Sequence, residues 1–192
     1  MTDKEFEAAI DKLRKGDKEG LECIYRAYIK MIYTVVYNTV GNREEAEDIT
    51  SEFFIKLVRV AGSFKKGSKH KTWLATIAKN MAIDSIRKRN REVLVSPLES
   101  NDDEEKQISI SEVAVINGEN IASPEGEAVL NYDMKMAMKE LSDKEREIID
   151  LKLIGDMKFK EISEVLGQPI GTVTWLYNQG IKKLRRCLAN YE

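Results

Sequence analysis

The chain has 192 residues, 42% hydrophobic and 33% charged, with only three prolines, which allows one modest core or two small ones and favours helix over sheet. Its most apolar stretch, MIYTVVYNTV (Met31 to Val40), is short and includes Thr34, Asn38 and Thr39, so a membrane span of roughly 20 apolar residues is excluded. The opening MTDKEFEAAIDK alternates charges and gives no sign of a secretion signal, so the expected compartment is the cytoplasm. Cys23, Cys187 and the single histidine, His70, are too few for a four-ligand zinc site. No metal or cofactor is expected, and both cysteines read as reduced packing residues.

The net charge of −2 hides a strong segregation. Residues 1–91 hold 19 Lys+Arg against 13 Asp+Glu, residues 92–127 hold 1 against 10, and residues 128–192 hold 11 against 10. The acidic middle includes ESNDDEEKQ and the turn-forming pieces SPLES, NGEN and SPEGE, and it reads as a linker between two helical domains. Its apolar pieces, Val93 to Val95 and ISISEVAVI, suggest segments that settle into a groove. The expected fold is therefore all-α, a four-helix bundle over 1–91 and a second helical domain over 128–192.

In chain order, Phe6, Ile10 and Leu13 mark an opening helix; Leu21, Ile24, Tyr25, Tyr28, Ile32, Val35 and Val36 mark a longer one that Gly41 stops. Asn42 and Glu45 have capping-box spacing and start a third helix, acidic through Glu44, Glu45, Glu47, Asp48 and Glu52 and basic at Lys56 and Arg59. That order suits the helix dipole, and charge order alone describes a solvated face. From Ser63 to Arg91 the character changes, with nine Lys or Arg against the single acid Asp84. Phe64, His70 and Trp73 lie among the lysines, a combination of cations and flat rings suited to single-stranded nucleic acid. Phe64 reads more naturally as a core anchor, whereas Trp73 serves either role. The following helix buries Leu74, Ile77, Ala78, Met81 and Ile86.

In the C-terminal part, Ser142 and Glu145 form a second capping box ahead of a helix marked by Ile148, Ile149, Leu151 and Leu153. Phe159, Ile162, Val165 and Leu166 form the next helix, Gly167-Gln168-Pro169 a tight turn, and Val173, Tyr177, Ile181 and Leu184 the inner face of a last helix near Gly171. Small Ser163, Gly167 and Val173 stand at helix-turn-helix spacing, which a plain helical hairpin could share.

These segments together resemble the extracytoplasmic-function (ECF) sigma factors over nearly the whole length except the linker. YRAYIKMIYTVVYNTVGNREEAEDITSEFFIKL is similar to the family's polymerase-binding segment, and Phe64 to Lys88 to its promoter-melting, minus-ten-reading segment. Glu140 to Val173 is similar to its minus-thirty-five-binding helix-turn-helix. The resemblance implies a factor that binds core RNA polymerase and directs promoter recognition and melting without being an enzyme. It implies that Asp48, Ser51, Glu52 and Phe54 dock on the beta-prime clamp. It further implies a loop, Ser63 to Thr72, that receives a flipped base at Lys69, His70 and Lys71 ahead of Trp73, with Lys79, Asn80, Arg87 and Lys88 as contacts on the following helix. Asp84 is there alternatively a partner of Lys88 at i, i+4. The acidic linker would run through the polymerase toward the RNA exit path, and an anti-sigma factor is a further candidate partner.

One departure stands out. Where the family usually carries Lys or Arg on its recognition helix, this chain has Thr174, Trp175, Leu176, Tyr177, Asn178 and Gln179, and cations return at Lys182. Thr172, Thr174, Trp175, Asn178, Gln179 and Lys182 form the expected minus-thirty-five surface, Asn and Gln favouring adenine. The rival is an apolar patch of Trp175 and Leu176 for a protein partner. For the whole chain the rival is a stand-alone helix-turn-helix regulator acting without polymerase. Catalysis is not expected, since there is no glycine-rich phosphate loop and no cluster of metal ligands.

Overall fold

The computed structural model describes residues 1–95 and 137–189, and every regular element among them is helical. Helix α1 spans Asp3–Arg14, α2 Lys18–Val40, α3 Arg43–Val60 and α4 His70–Val95, with a 3-10 turn over Ala61–Ser63. Helix α5 spans Asp143–Leu153, α6 Phe159–Leu166 and α7 Ile170–Ala189. Val93 to Val95 thus form the last turn of α4, while ISISEVAVI and the rest of the acidic segment from 96 onward lie outside the described residues.

Local signals set the helix boundaries. Ser142 and Glu145 make the expected reciprocal capping box, and Thr2 with Glu5 makes another that the sequence reading did not single out. Asn42 caps α3 through a 3.0 Å bond from the Glu45 amide. The Glu45 carboxylate, however, accepts from Ser85 Oγ at 2.7 Å and Arg89 at 2.8 Å on α4, so it ties two helices together instead of closing a box. Gly167 ends α6 in the left-handed region at φ 63°. Ser163 Oγ then donates to the Gln168 carbonyl at 2.6 Å, latching the turn.

Helix α2 organises the packing. Its residues from Met31 to Tyr37 are all buried, and a helix apolar all round needs cover on every side. Helices α1, α3 and α4 supply most of it, and α5 of the C-terminal part supplies the rest. Gly20 permits the α1–α2 approach, since a Cβ there would lie 2.4 Å from the Ala9 carbonyl oxygen. Two apolar markers depart from the expected core. Tyr25 is exposed and packs its ring on Phe54 at 4.8 Å, and Leu153 is exposed at the end of α5. Cys23 is also exposed, on the outer side of α2's amphipathic first half, and is not a packing residue.

The two ends of the chain share one apolar cluster, to which Ile148, Leu151, Met157, Ile162, Val165 and Val173 contribute from the C-terminal side. At this seam Asn38 donates to the buried Asp150 carboxylate at 3.0 Å. Burial raises the Asp150 pKa from 3.8 to about 6, against the opposing effect of Asn38. A carboxyl whose pKa is raised by packing stabilises it most below about pH 4, and that contribution is lost as pH rises through about 6. The ionised group costs about 3 kcal/mol at neutral pH. Asp150→Asn should therefore raise the thermal midpoint at neutral pH and bring variant and wild type together toward pH 4. Parallel melting profiles across that range would contradict the burial of an ionisable Asp150 in the seam.

Candidate nucleic-acid interface

The basic loop ahead of α4 is held from one side by α1. Arg14 Nε donates to the Ala61 carbonyl at 3.0 Å, Asp11 pairs with Lys66, Glu7 accepts from the Gly67 amide at 2.7 Å, and Asp3 meets His70 Nδ1 at 2.6 Å. Asp3, Glu7, Asp11 and Arg14 recur at helical spacing, so a single face of α1 grips the whole loop. No local sequence signal marked α1 as this scaffold.

His70 is buried at the start of α4 and stacks on Phe6 at 4.6 Å and 18°. Burial lowers its pKa, so the ring is neutral at pH 7. The Asp3 carboxylate can only accept, which places the proton on Nδ1 and leaves Nε2 to accept from the Tyr28 hydroxyl. Burial likewise pushes the Tyr28 phenol upward and keeps it a donor. His70 thus fixes the loop from within and offers no ring nitrogen to solvent. Phe64 is buried against Phe6 and Trp73, whereas Trp73 is half-buried, one side covered by Phe64 at 5.1 Å.

The loop and α4 residues expected to meet DNA fall into two groups. Asn80, Arg87 and Lys88 are exposed on α4, and Arg87 pairs with Asp84 at 3.5 Å. Lys69, Lys71 and Lys79 instead reach the C-terminal part, to Glu164 at 2.6 Å, Asp156 at 3.0 Å and Glu147 at 3.2 Å respectively.

On α3, Asp48 and Glu52 are exposed and share a groove against α4 with Ile55, Lys56, Met81 and Lys88. Ile55 is 60% exposed there, an apolar feature that the charge-based reading of this face overlooked. Ser51 lines a different pocket with Ile29 and Tyr33, and Phe54 is buried against Tyr25 and Phe53, so these two do not share the groove. On α7, Trp175, Asn178 and Lys182 are exposed at helical spacing. Thr172 and Gln179 are half-buried beside them, and Thr174 Oγ1 is engaged by the Ile170 and Gly171 carbonyls. Trp175 is 60% exposed.

The Sigma-70 region 2 family model matches residues 24–92 and the Sigma-70 region 4 model matches residues 137–186. The chain is 33% identical over 185 residues to the ECF RNA polymerase sigma factor SigW of Bacillus subtilis, covering 93% of this chain and 94% of that protein. The chain belongs to the ECF sigma factors. As a member it binds core RNA polymerase and recognises promoter DNA, and the reading as a stand-alone regulator is not favoured. The sigma factor RpoE of Bartonella quintana, solved with the anti-sigma factor NepR, shares the fold with a TM-score of 0.61, at 23% identity over 90% of this chain and 98% of that one. CnrH, solved with the cytosolic domain of CnrY, superposes with a TM-score of 0.59 at 15% identity, over 98% of this chain and 99% of that one. Among the described residues no helix of this sigma factor is long and apolar enough to cross a membrane.

The role of His70 inside the loop is open to direct test. His70→Phe keeps a ring on Phe6 but leaves the Tyr28 hydroxyl and the Asp3 carboxylate without their partner. Loss of one buried bond partner costs about 1–3 kcal/mol. Urea denaturation should register a loss of that size, and an unchanged midpoint would mean that the pair of bonds does not anchor the loop.

Proposed function

We propose that three surfaces divide the work of initiation, two on residues 1–91 and one on residues 128–192, with the acidic 92–127 as connector. The first is the α3 face of Asp48 and Glu52, which docks on the beta-prime clamp. Carboxylates on this face steer a basic partner, and exposed Ile55 supplies an apolar centre to desolvate. Phe54 supports this face from beneath, and Ser51 lies on its far flank.

The second surface takes the melted minus-ten region. Lys69, Lys71, Lys79, Arg87 and Lys88 meet phosphates, Trp73 offers a ring edge and Asn80 a base-reading amide, while His70 sets the loop's shape. The observation that carries this reading is the concentration of nine cations and one acid between Ser63 and Arg91, beside a loop that α1 holds rigid.

The third surface is the exposed side of α7, where Thr172, Thr174, Trp175, Asn178, Gln179 and Lys182 contact the minus-thirty-five element. With few cations, it works by tethering to the same polymerase. An anti-sigma factor is a natural partner for such a chain, as RpoE of Bartonella quintana has in NepR. The protein acts in the cytoplasm and directs the chemistry of polymerase without catalysing a reaction.

Asp48→Lys with Glu52→Lys should abolish co-purification with core polymerase while helical circular dichroism persists, and undiminished association would remove α3 from the interface. Lys69→Ala with Lys71→Ala should lower the log-log salt slope of single-strand binding by the polymerase complex by about 1.4, at roughly 0.7 per cation. An unchanged slope would remove these two lysines from the DNA contact.

A further inference from the structure

Base pairs in a duplex are told apart by hydrogen bonds to their edges and by apolar contact with the methyl group of thymine. The outward stripe of α7 offers both kinds of contact. Gly171, Trp175, Asn178 and Lys182 recur at helical steps and are exposed, and Ile170, at the first position of the helix, is 51% exposed. A helical side chain leans toward the N-terminus, so the Trp175 indole lies over the turn that begins at Gly171. A Cβ on Gly171 would meet nothing within 4 Å, which leaves that turn open to an approaching groove. Thr174 Oγ1 bonds to the Ile170 and Gly171 carbonyls at 3.0 Å each, so its proton is used within the helix. Exposed cations stand at either end of this stretch, Lys158 and Lys160 at the start of α6 and Lys182, Arg185 and Arg186 in the second half of α7. Between Lys160 and Lys182 the chain has none. Phosphate contacts fix the register of a protein on a duplex, whereas base contacts specify sequence. Cations at both ends of an uncharged stripe suit that division, while a protein partner would find Ile170 and Trp175 separated by glycine and threonine.

We propose that Trp175, together with Ile170, selects promoters by the methyl group of a thymine in the minus-thirty-five element, while Asn178 takes an adjacent adenine. This rests on the assignment of α7 to that element in the preceding subsection. In a helix-turn-helix the N-terminal part of the second helix meets the base edges, and Ile170 and Trp175 lie in the first two turns of α7. Asn178 stands three residues beyond Trp175, about 4.5 Å along the axis at roughly 1.5 Å per residue, against about 3.4 Å between stacked base pairs. The two side chains therefore reach neighbouring pairs. Asn hydrogen-bonds adenine at two points, and apolar side chains pack on the thymine methyl. Such a helix discriminates by burial: one covered methyl contributes a factor of about four. That factor holds as salt rises, because covering a methyl releases no counterion.

The test uses the full chain joined to core polymerase. The complex is offered duplexes with random base pairs across the minus-thirty-five region, upstream of a fixed minus-ten region from a genomic fragment that it transcribes, and bound duplexes are sequenced. Wild type should enrich a thymine beside an adenine. Exchange of that thymine for deoxyuridine removes the methyl alone. It should weaken binding about fourfold for wild type and for Trp175→Phe, which keeps an apolar ring, and leave Trp175→Ala unaffected. Trp175 is exposed, so its alanine variant should fold and join polymerase as wild type does. A selected element without thymine, or equal binding of the thymine and uracil duplexes by wild type, overturns the proposal. So does a fourfold loss that Trp175→Ala shares, since the methyl then meets another residue. Loss of polymerase co-purification by Trp175→Ala with an unchanged base preference also overturns it and gives the ring to a protein partner. Asn178→Ala separates these failures from failure of the underlying assignment. If it alters the adenine preference while deoxyuridine has no effect, α7 reads the element without the methyl. If neither Trp175→Ala nor Asn178→Ala alters any preference, α7 is not the reader, and the assignment falls with the proposal.

Discussion

The structure depends on a helix that no single domain can cover. Seven consecutive buried positions, Met31 to Tyr37, leave the second half of α2 without a solvent face. Helices α1, α3 and α4 enclose three sides, and the fourth is closed by α5. The same seam that satisfies α2 brings the α5–α6 turn over the start of α4. The two surfaces proposed for nucleic acid are thus linked by an apolar demand at the centre of the bundle.

Within that frame the loop from Ala61 to His70 is unusually well determined. Basic loops repel themselves, and a lysine-rich segment without partners would sample many conformations. Here the acids of α1 neutralise part of the loop, and the Tyr28–His70–Asp3 chain fixes its end. The result is a rigid edge whose lysines Lys66, Lys69 and Lys71 are held in ion pairs. Rigidity there favours base capture, because ordering a loop during binding subtracts from affinity. Helix α7 shows the opposite balance, with an exposed Trp175 and few cations, and in the proposed division of work it contributes through tethering.

Much of this was legible in the sequence, because short-range rules carried it. Ser142 and Glu145 read as a capping box and form one, Phe64 read as a core anchor and is buried, and Ser163, Gly167 and Val173 fall where a helix-turn-helix needs them. What escaped was carried by contacts distant in sequence. His70 looked like a ring for DNA because its partners, Tyr28 and Asp3, stand 42 and 67 positions away. Glu45 fitted a box by spacing, yet α4 outcompetes the cap for its carboxylate. The all-round apolarity of MIYTVVYNTV was visible as composition, but periodicity does not say which element covers the fourth side. Ile55 went unremarked because an acidic face draws attention to its charges.

Joined to polymerase, this chain is proposed to open promoter DNA through the α4 surface. Permanganate modifies thymines only where they are unstacked, so its reactivity on a promoter fragment reports opening directly. The account predicts reactive thymines around the minus-ten element when both core polymerase and this sigma factor are present, and none with either alone. Exchange of Lys69, Lys71 and Lys79 for alanine should remove that reactivity while polymerase association remains. Full reactivity with the triple variant would contradict the account.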